Sequence, residues 1–158
     1  MAVDVFLKLG TIKGESKDSK HAGEIDVVSW SWGVSQTGSV AYGGGGGAGK
    51  AAFQDITFLH NVDAASPVLM TACATGEHIP EAILIARKAG KSPQEYIIIK
   101  MNDILITSVQ PSGSSEHPVE SVSMSYSKVA LEYKPQKADG TLDAGIFFKY
   151  DVKSNKEG

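Results

Sequence analysis

A glycine-rich segment that ends in a lysine is the part of this sequence that comes nearest to a chemical motif. Gly44, Gly49 and Lys50 fit most of the P-loop pattern, in which backbone N–H groups cradle phosphates. That motif also needs Ser or Thr after the lysine to hold magnesium, and a helix that begins there. Here Ala51 follows the lysine and leads into a β-type run, so the sequence predicts no nucleotide or other cofactor.

The remaining candidates for chemistry have simpler structural explanations. The four histidines lack the i, i+4 spacing that places two metal ligands on one helix face: His21, His60, His78 and His117. Cys73 lies on the apolar stripe of a predicted helix, which favours a structural thiol over a nucleophile. Asp139 and Asp143 lie in a glycine-containing loop, where turn formation explains them. We therefore predict no catalytic residue and no metal site, and hence not an enzyme.

Two tryptophans leave a choice between a core strand and a binding platform. Val28, Trp30, Trp32 and Val34 alternate with Val27, Ser29, Ser31 and Gly33, so a strand places both indoles on one face. Tryptophans on an otherwise apolar face are usually core, but they could also stack on a sugar in a carbohydrate- or ligand-binding β-sandwich. In the core reading, Ser29 and Ser31 point outward.

Length and charge limit the classes of partner. The 158 residues fit one domain, 1–158, and the net charge of -3 argues against nucleic acid, whose phosphates need a basic surface. No apolar run is long enough to span a bilayer, so membrane insertion is not expected. The first ten residues lack a positive region and a long apolar run, and one cysteine suits a reducing compartment. We expect synthesis in the cytoplasm without a signal peptide.

Alternating apolar residues predict a mainly β fold. Strands are expected at 3–9, 25–34, 53–60, 82–88, 96–101, 104–109, 122–133 with a bend near Ser127-Lys128, and 146–152. The breaks include Asn102-Asp103. One helix is expected at about 66–75, with Ser66 as its cap, Pro67 in its first turn and Gly76 at its left-handed end. These elements predict a tight β-barrel or two-sheet sandwich of about eight or nine strands flanked by one α-helix, with a flexible tail at 153–158.

A loop at about 38–50 is too rich in glycine to hold one conformation alone. We expect a partner to order it. The residues that such a partner would contact are Ser39, Val40, Ala41, Tyr42, Gly43, Gly44, Gly45, Gly46, Gly47, Ala48, Gly49 and Lys50.

Four segments in this order resemble the haemolysin-coregulated protein (Hcp) family of type VI secretion. They are E-I-D-V-V-S-W-S-W-G at 24–33, the glycine run ending A-G-K at Lys50, A-S-P-V-L-M-T-A-C-A-T-G at 65–76 and P-Q-K-A-D-G at 135–140. The resemblance covers essentially the whole chain. It is weaker at 141–147 and in the tail.

The resemblance implies a structural role rather than catalysis. Family members form hexameric rings that stack into an inner tube, associate with sheath and spike proteins, and carry small effector proteins in the lumen. They leave the cell through the type VI apparatus itself. On this basis Ser29 and Ser31 are expected to line the channel, and the glycine-rich loop is expected to contact a neighbouring subunit.

Overall fold

Two facing layers of strands and one helix make up the fold in this computed structural model, which describes residues 2–38 and 50–158. Their elements are β1 (Val3–Leu9), β2 (Ile25–Val27), β3 (Ser29–Ser31), β4 (Val34–Ser35), β5 (Ala52–Phe53), β6 (Ile56–Asn61), α1 (Ser66–Thr75), β7 (His78–Lys88), β8 (Gln94–Ser112), β9 (Val119–Ser125), β10 (Lys128–Tyr133), β11 (Ile146–Asp151) and β12 (Lys156–Glu157). The predicted fold class is confirmed as a mainly β sandwich with one helix. Within the described residues the sheets do not close into a barrel.

Strand β8 connects the two layers. Its first half pairs with β7 and β10, in a first layer ordered β12-β11-β10-β8-β7-β1-β2. Its second half pairs with β9, in a second layer ordered β8-β9-β6-β3. The predicted break at Asn102-Asp103 is wrong. Asp103 takes a positive φ of 55° that bends the strand, but β7 stays paired on both sides of the bend.

The tryptophan segment is three short strands rather than one. β2 pairs with β1 in the first layer, whereas β3 pairs with β6 in the second, so the chain changes layer at Val28. Trp30 and Trp32 pack against the core, as predicted. Val28 and Val34 were expected on the same buried face, but they are 59% and 51% exposed because the segment does not run as a single strand.

A second change of layer occurs at the bend expected near Ser127-Lys128, and the structure confirms it. β9 pairs with β6 and the second half of β8, whereas β10 pairs with the first half of β8 and with β11. The N–H of Ser127 donates to the carbonyl of Asn102 at 3.0 Å, which joins this bend to the bend in β8.

Helix α1 covers one part of the sandwich and lies where the sequence places it. Pro67 is in its first turn, and Gly76 ends it at a left-handed φ of 69°. The expectation that Ser66 caps the helix is wrong. Ala65 is the cap residue, and the Ser66 hydroxyl instead accepts a hydrogen bond from the N–H of Asp63 at 3.1 Å. The sequence predicts an apolar stripe of Val68, Leu69, Ala72 and Cys73 on this helix; Leu69 and Ala72 are buried, whereas Val68 is exposed.

The end of the chain folds back on the first layer. β12 pairs with β11, and the Tyr150 hydroxyl donates to Asn155 Oδ1 at 2.8 Å, so the segment expected as a flexible tail includes a short strand. The core between the layers consists of fully buried side chains from both, among them Leu7, Ile25, Ile56, Phe58, Leu84, Ile99, Met101, Ile104 and Met124.

Candidate interaction surfaces

The two serines singled out from the sequence lie on the outer face of the second layer. Ser29 and Ser31 are exposed at the two ends of β3, and Trp30 between them packs against the core. Successive residues of a strand point to opposite faces, so the tryptophan fixes both hydroxyls outward. This confirms the outward direction predicted for them.

Strand pairing extends these two serines into a wider surface. Ser31 lies opposite Thr57, Thr57 opposite Ser123, and Ser123 opposite Ser108, so one row crosses β3, β6, β9 and β8. The Thr57 and Ser123 hydroxyls are hydrogen-bonded at 2.9 Å. The neighbouring row is Ser29, Leu59, Ser121 and Gln110. We call these eight residues the hydroxyl face.

The hydroxyl face has no charged member, although 33 of the 158 residues of the chain are charged. Its side chains are short and mostly hydroxylated, and each hydroxyl can both donate and accept a hydrogen bond. Such a surface lies flat and can contact partners of either charge without leaving a buried ion unpaired. It is therefore suited to contacts that are broad and weakly selective.

The opposite side of the same strands holds a buried hydrogen bond between a histidine and a glutamate that the sequence reasoning missed. His60 Nε2 lies 2.8 Å from Glu120 Oε1, and these residues are directly paired across β6 and β9. They are 0% and 1% exposed. The alternation of apolar and polar residues within each strand could have shown that both side chains point inward. Only the pairing register between β6 and β9 shows that they are neighbours.

A short hairpin forms the base of the glycine-rich loop. Val34 pairs with Phe53 and Ser35 with Ala52, which brings the two ends of the loop together. Most of the predicted contact segment, residues 39–49, lies outside the described residues. Lys50 is exposed and precedes strand β5 rather than a helix, which removes the structural context that a P-loop needs.

An aromatic cluster joins the base of this loop to β11. Phe53 lies 4.9 Å from Tyr150 and 6.3 Å from Phe148 between ring centroids, and Phe148 lies 6.3 Å from Trp32. The Trp32 indole N–H donates to the Tyr126 hydroxyl, and burial raises the pKa of that hydroxyl. The hairpin at the base of the glycine-rich loop is therefore packed against β11.

The acidic and cysteine candidates lie in a turn-forming loop and on the helix. Asp139 and Asp143 accept hydrogen bonds from the backbone N–H of Thr141 and Ala144, at 3.0 and 2.7 Å, which is the expected turn role. The hydrogen bonds from Thr141 lower the pKa of Asp139. Cys73 is half-buried against the core. Across residues 2–38 and 50–158, no group of three His, Cys, Asp or Glu side chains is placed to hold a metal.

The two tryptophans do not form an exposed binding platform. Trp30 and Trp32 are half-buried against the core, so they do not present the open pair of rings that a sugar platform requires. The helix in the described part of the chain is too short to cross a membrane.

The segment between β1 and β2 contains a second group of polar contacts that sequence reasoning missed. His21 is buried, its ring stacks on Phe6 at 4.5 Å, and its two nitrogens lie within 3.0 Å of Glu24 and Glu95. The Arg87 guanidinium donates to both carboxylate oxygens of Asp18 and so holds the pKa of that carboxyl below its usual range. These contacts fix the segment against the first layer.

Comparison with known proteins supplies related chains of nearly the same length. The family model described as a type VI secretion system effector, Hcp, matches residues 6–133. Protein hcp1 of Pseudomonas aeruginosa is 48% identical over 98% of both chains. Hcp1 from Salmonella typhimurium is 41% identical, with a TM-score of 0.83 and 99% of each chain covered. A type VI secretion system effector from Yersinia pestis is 36% identical, with a TM-score of 0.77, over 94% of this chain and 99% of its own.

Proposed function

Because the chain belongs to the Hcp family of type VI secretion system proteins, we propose that it is a structural tube component rather than an enzyme. Six copies form a ring, rings stack into the inner tube, and small effector proteins are carried inside. The observation that carries the proposal is the hydroxyl face, an uncharged surface that crosses all four strands of the second layer.

Ring formation is supported by the edges of that layer. Within the described residues, β3 has a paired neighbour on one side only, and so does β8 beyond Leu105. Two different edges on one chain allow a head-to-tail interface between copies, and such an interface makes a ring when the rotation closes. In this arrangement the second layers of neighbouring copies lie side by side and their hydroxyl faces line one channel.

A channel lined by the hydroxyl face suits cargo of varied surface chemistry. Short neutral side chains leave the lumen open, and they neither trap nor repel cargo through charge. In this channel Ser29 and Ser31 are the contact residues on β3, and the effectors are the molecules bound. No cofactor is required. Effector retention then depends on size and on weak polar contacts.

The loop at about 38–50 supplies a different contact in this proposal. Ser39 through Lys50 reach a neighbouring subunit or ring, and assembly offsets the entropy cost of ordering the glycines. The outer side of the tube meets the sheath, and its end meets the spike. The protein is made in the cytoplasm and secreted by the type VI apparatus.

The test is the oligomeric state of the purified protein. Native mass spectrometry should give a hexamer, and negative-stain microscopy should show rings with an open channel. A protein that remains monomeric across the accessible concentration range would contradict the proposal. Sedimentation velocity at several concentrations serves as the control that separates weak assembly from none.

A further inference from the structure

Three lysines form a straight row across the outer face of the first layer. Lys8 on β1 lies opposite Ile83 on β7, and Ile83 lies opposite Lys100 on β8. Lys100 lies opposite Ala130 on β10, and Ala130 lies opposite Lys149 on β11. The register therefore alternates lysine with an apolar residue over five adjacent strands. We call Lys8, Lys100 and Lys149 the lysine row.

The lysine row points away from the core. Each of its members is exposed, whereas strand neighbours such as Leu7, Leu9, Ile99 and Met101 are fully buried. The row is on the first layer and the hydroxyl face is on the second, so the two surfaces lie on opposite sides of the sandwich. The row is thus separate from the channel proposed above.

The three lysines of the row form no ion pair with a carboxylate in the described part of the chain. Among the lysines that the structure describes, the one with a carboxylate oxygen within 4.0 Å is Lys128, whose partner is Asp151. Residues 39–49 contain no Asp or Glu, so they cannot supply an acidic partner either. Lys149 Nζ lies 5.3 Å from the centroid of the Phe147 ring, a cation–π contact that leaves the charge unpaired.

Apolar side chains accompany the row. Ile83 and Ala130 lie between the lysines, and the adjacent row of paired residues contains Phe147, Glu132 and Ile98. Phe147 is 59% exposed. The surface therefore offers both apolar contact area and spaced positive charge. Its acidic members are Glu132 in this row, and Glu81 and Asp151 in the row on the other side of the lysines.

The spacing of the lysines suits an α-helix laid across the strands. Neighbouring strands are about 4.8 Å apart, so lysines on alternate strands are about 10 Å apart. Seven residues of an α-helix rise about 10.5 Å. Acidic residues at i, i+7 and i+14 would meet the three lysines, and apolar residues at the intervening i+3 or i+4 positions would meet Ile83 and Ala130.

We propose that the lysine row is a docking surface for an amphipathic acidic helix of another protein. Charge complementarity and the matched spacing select this occupant. Helix α1 of a second copy of this chain is not the docked helix, because residues 66–75 contain no acidic residue. The inference does not depend on ring formation and goes beyond it, since it concerns the opposite face of the sandwich.

A designed peptide tests the proposal directly. The probe is a labelled helical peptide with Glu at i, i+7 and i+14 and Leu between them, and the readout is fluorescence anisotropy with the intact protein. We expect the combined variant Lys8→Glu, Lys100→Glu and Lys149→Glu to weaken binding about tenfold or more, because three attractions become repulsions. A peptide with Lys at the same three positions should bind this variant better than it binds the parent.

The matched control changes three exposed lysines elsewhere by the same charge. Lys13→Glu, Lys17→Glu and Lys20→Glu together should leave peptide binding within about twofold of the parent, because the Debye length at physiological salt is only about 8 Å. Circular dichroism and native mass spectrometry establish that both variants fold and assemble as the parent does. A scrambled peptide of the same composition should bind about tenfold more weakly.

Three results would overturn the proposal. Equal binding of the scrambled peptide would show that the surface attracts any acidic chain without register. An equal loss in the control variant would show general electrostatic attraction. Sedimentation of the parent with phosphatidylcholine–phosphatidylglycerol vesicles that depends on the lysine row, without peptide binding, would identify an anionic lipid surface as the partner.

Discussion

The indole N–H of Trp32 donates a hydrogen bond to the hydroxyl of Tyr126, and this hydroxyl donates in turn to the backbone carbonyl of Gln54 at 2.8 Å. Trp32 and Tyr126 are 94 residues apart in the chain. The first follows β3, the second follows β9, and Gln54 follows β5. The hydroxyl of one buried tyrosine therefore connects the base of the glycine-rich loop to the second layer.

Replacing Tyr126 by Phe should destabilise the fold without changing its shape. The variant leaves the Trp32 N–H and the Gln54 carbonyl without this partner, which costs about 1–2 kcal/mol of unfolding free energy. Urea denaturation measures the difference. Tyr150→Phe is the control, since its hydroxyl bonds to the exposed Asn155 and its loss should cost under about 0.5 kcal/mol. Equal effects of the two variants would contradict the role of Tyr126.

The ion pair between Asp18 and Arg87 should make stability depend on pH in a defined direction. Arg87 lowers the pKa of Asp18 in the folded protein below its ordinary value of 3.8. The contribution is therefore fully present above pH 3.8 and disappears as the pH falls through the lowered value. Asp18→Asn should be less stable than the parent at pH 7, and the difference should shrink toward pH 3. Urea denaturation at both pH values measures it.

Glu116→Gln is the control for this prediction, because the Glu116 side chain is exposed and forms no ion pair among the described residues. Its unfolding free energy should match that of the parent at both pH values. If Asp18→Asn behaves in the same way, the Asp18–Arg87 contact does not stabilise the folded state.

Changing Ser31 should affect cargo rather than folding. Ser31→Gln adds a longer side chain on the exposed side of β3, so the unfolding free energy should change by less than about 0.5 kcal/mol. If the hydroxyl face lines the channel, rings should form but retain less effector, because the longer side chain obstructs the contact surface. Pull-down with purified rings measures retention.

Gln36→Glu is a control for Ser31, since residue 36 is exposed outside the hydroxyl face. It should leave retention unchanged. Intact rings that retain effector equally well with Gln at position 31 would count against a channel-lining role for this face.

Shortening the glycine run should separate folding from stacking. Reducing Gly43 through Gly47 to two residues should change monomer stability by less than about 1 kcal/mol, because loop-closure entropy depends weakly on length. If the loop contacts a neighbouring ring, the variant should still form rings but stack poorly and fail in a secretion assay. Normal tubes and normal secretion would show that the loop is dispensable for assembly.

Local sequence patterns identified most of the elements but not their connections. Pro67 and Gly76 placed the helix, because a fixed φ and a left-handed end are properties of single residues. Alternation located β1, β6 and β9, and it correctly directed Trp30 inward with Ser29 and Ser31 outward. Alternation failed where the chain changes layer, because the pattern assigns faces within one strand and contains no information about which layer that strand joins.

The sequence by itself determined which residues favour strand, turn or helix, and its motif order was enough to indicate the family. Only the tertiary structure decided that β8 is continuous through Asp103, that His60 meets Glu120, and which residues form the hydroxyl face and the lysine row. Each of these depends on the register between strands distant in the chain. Register is set by the packing of the whole core, since a shift of one residue would turn every buried side chain of a strand toward solvent.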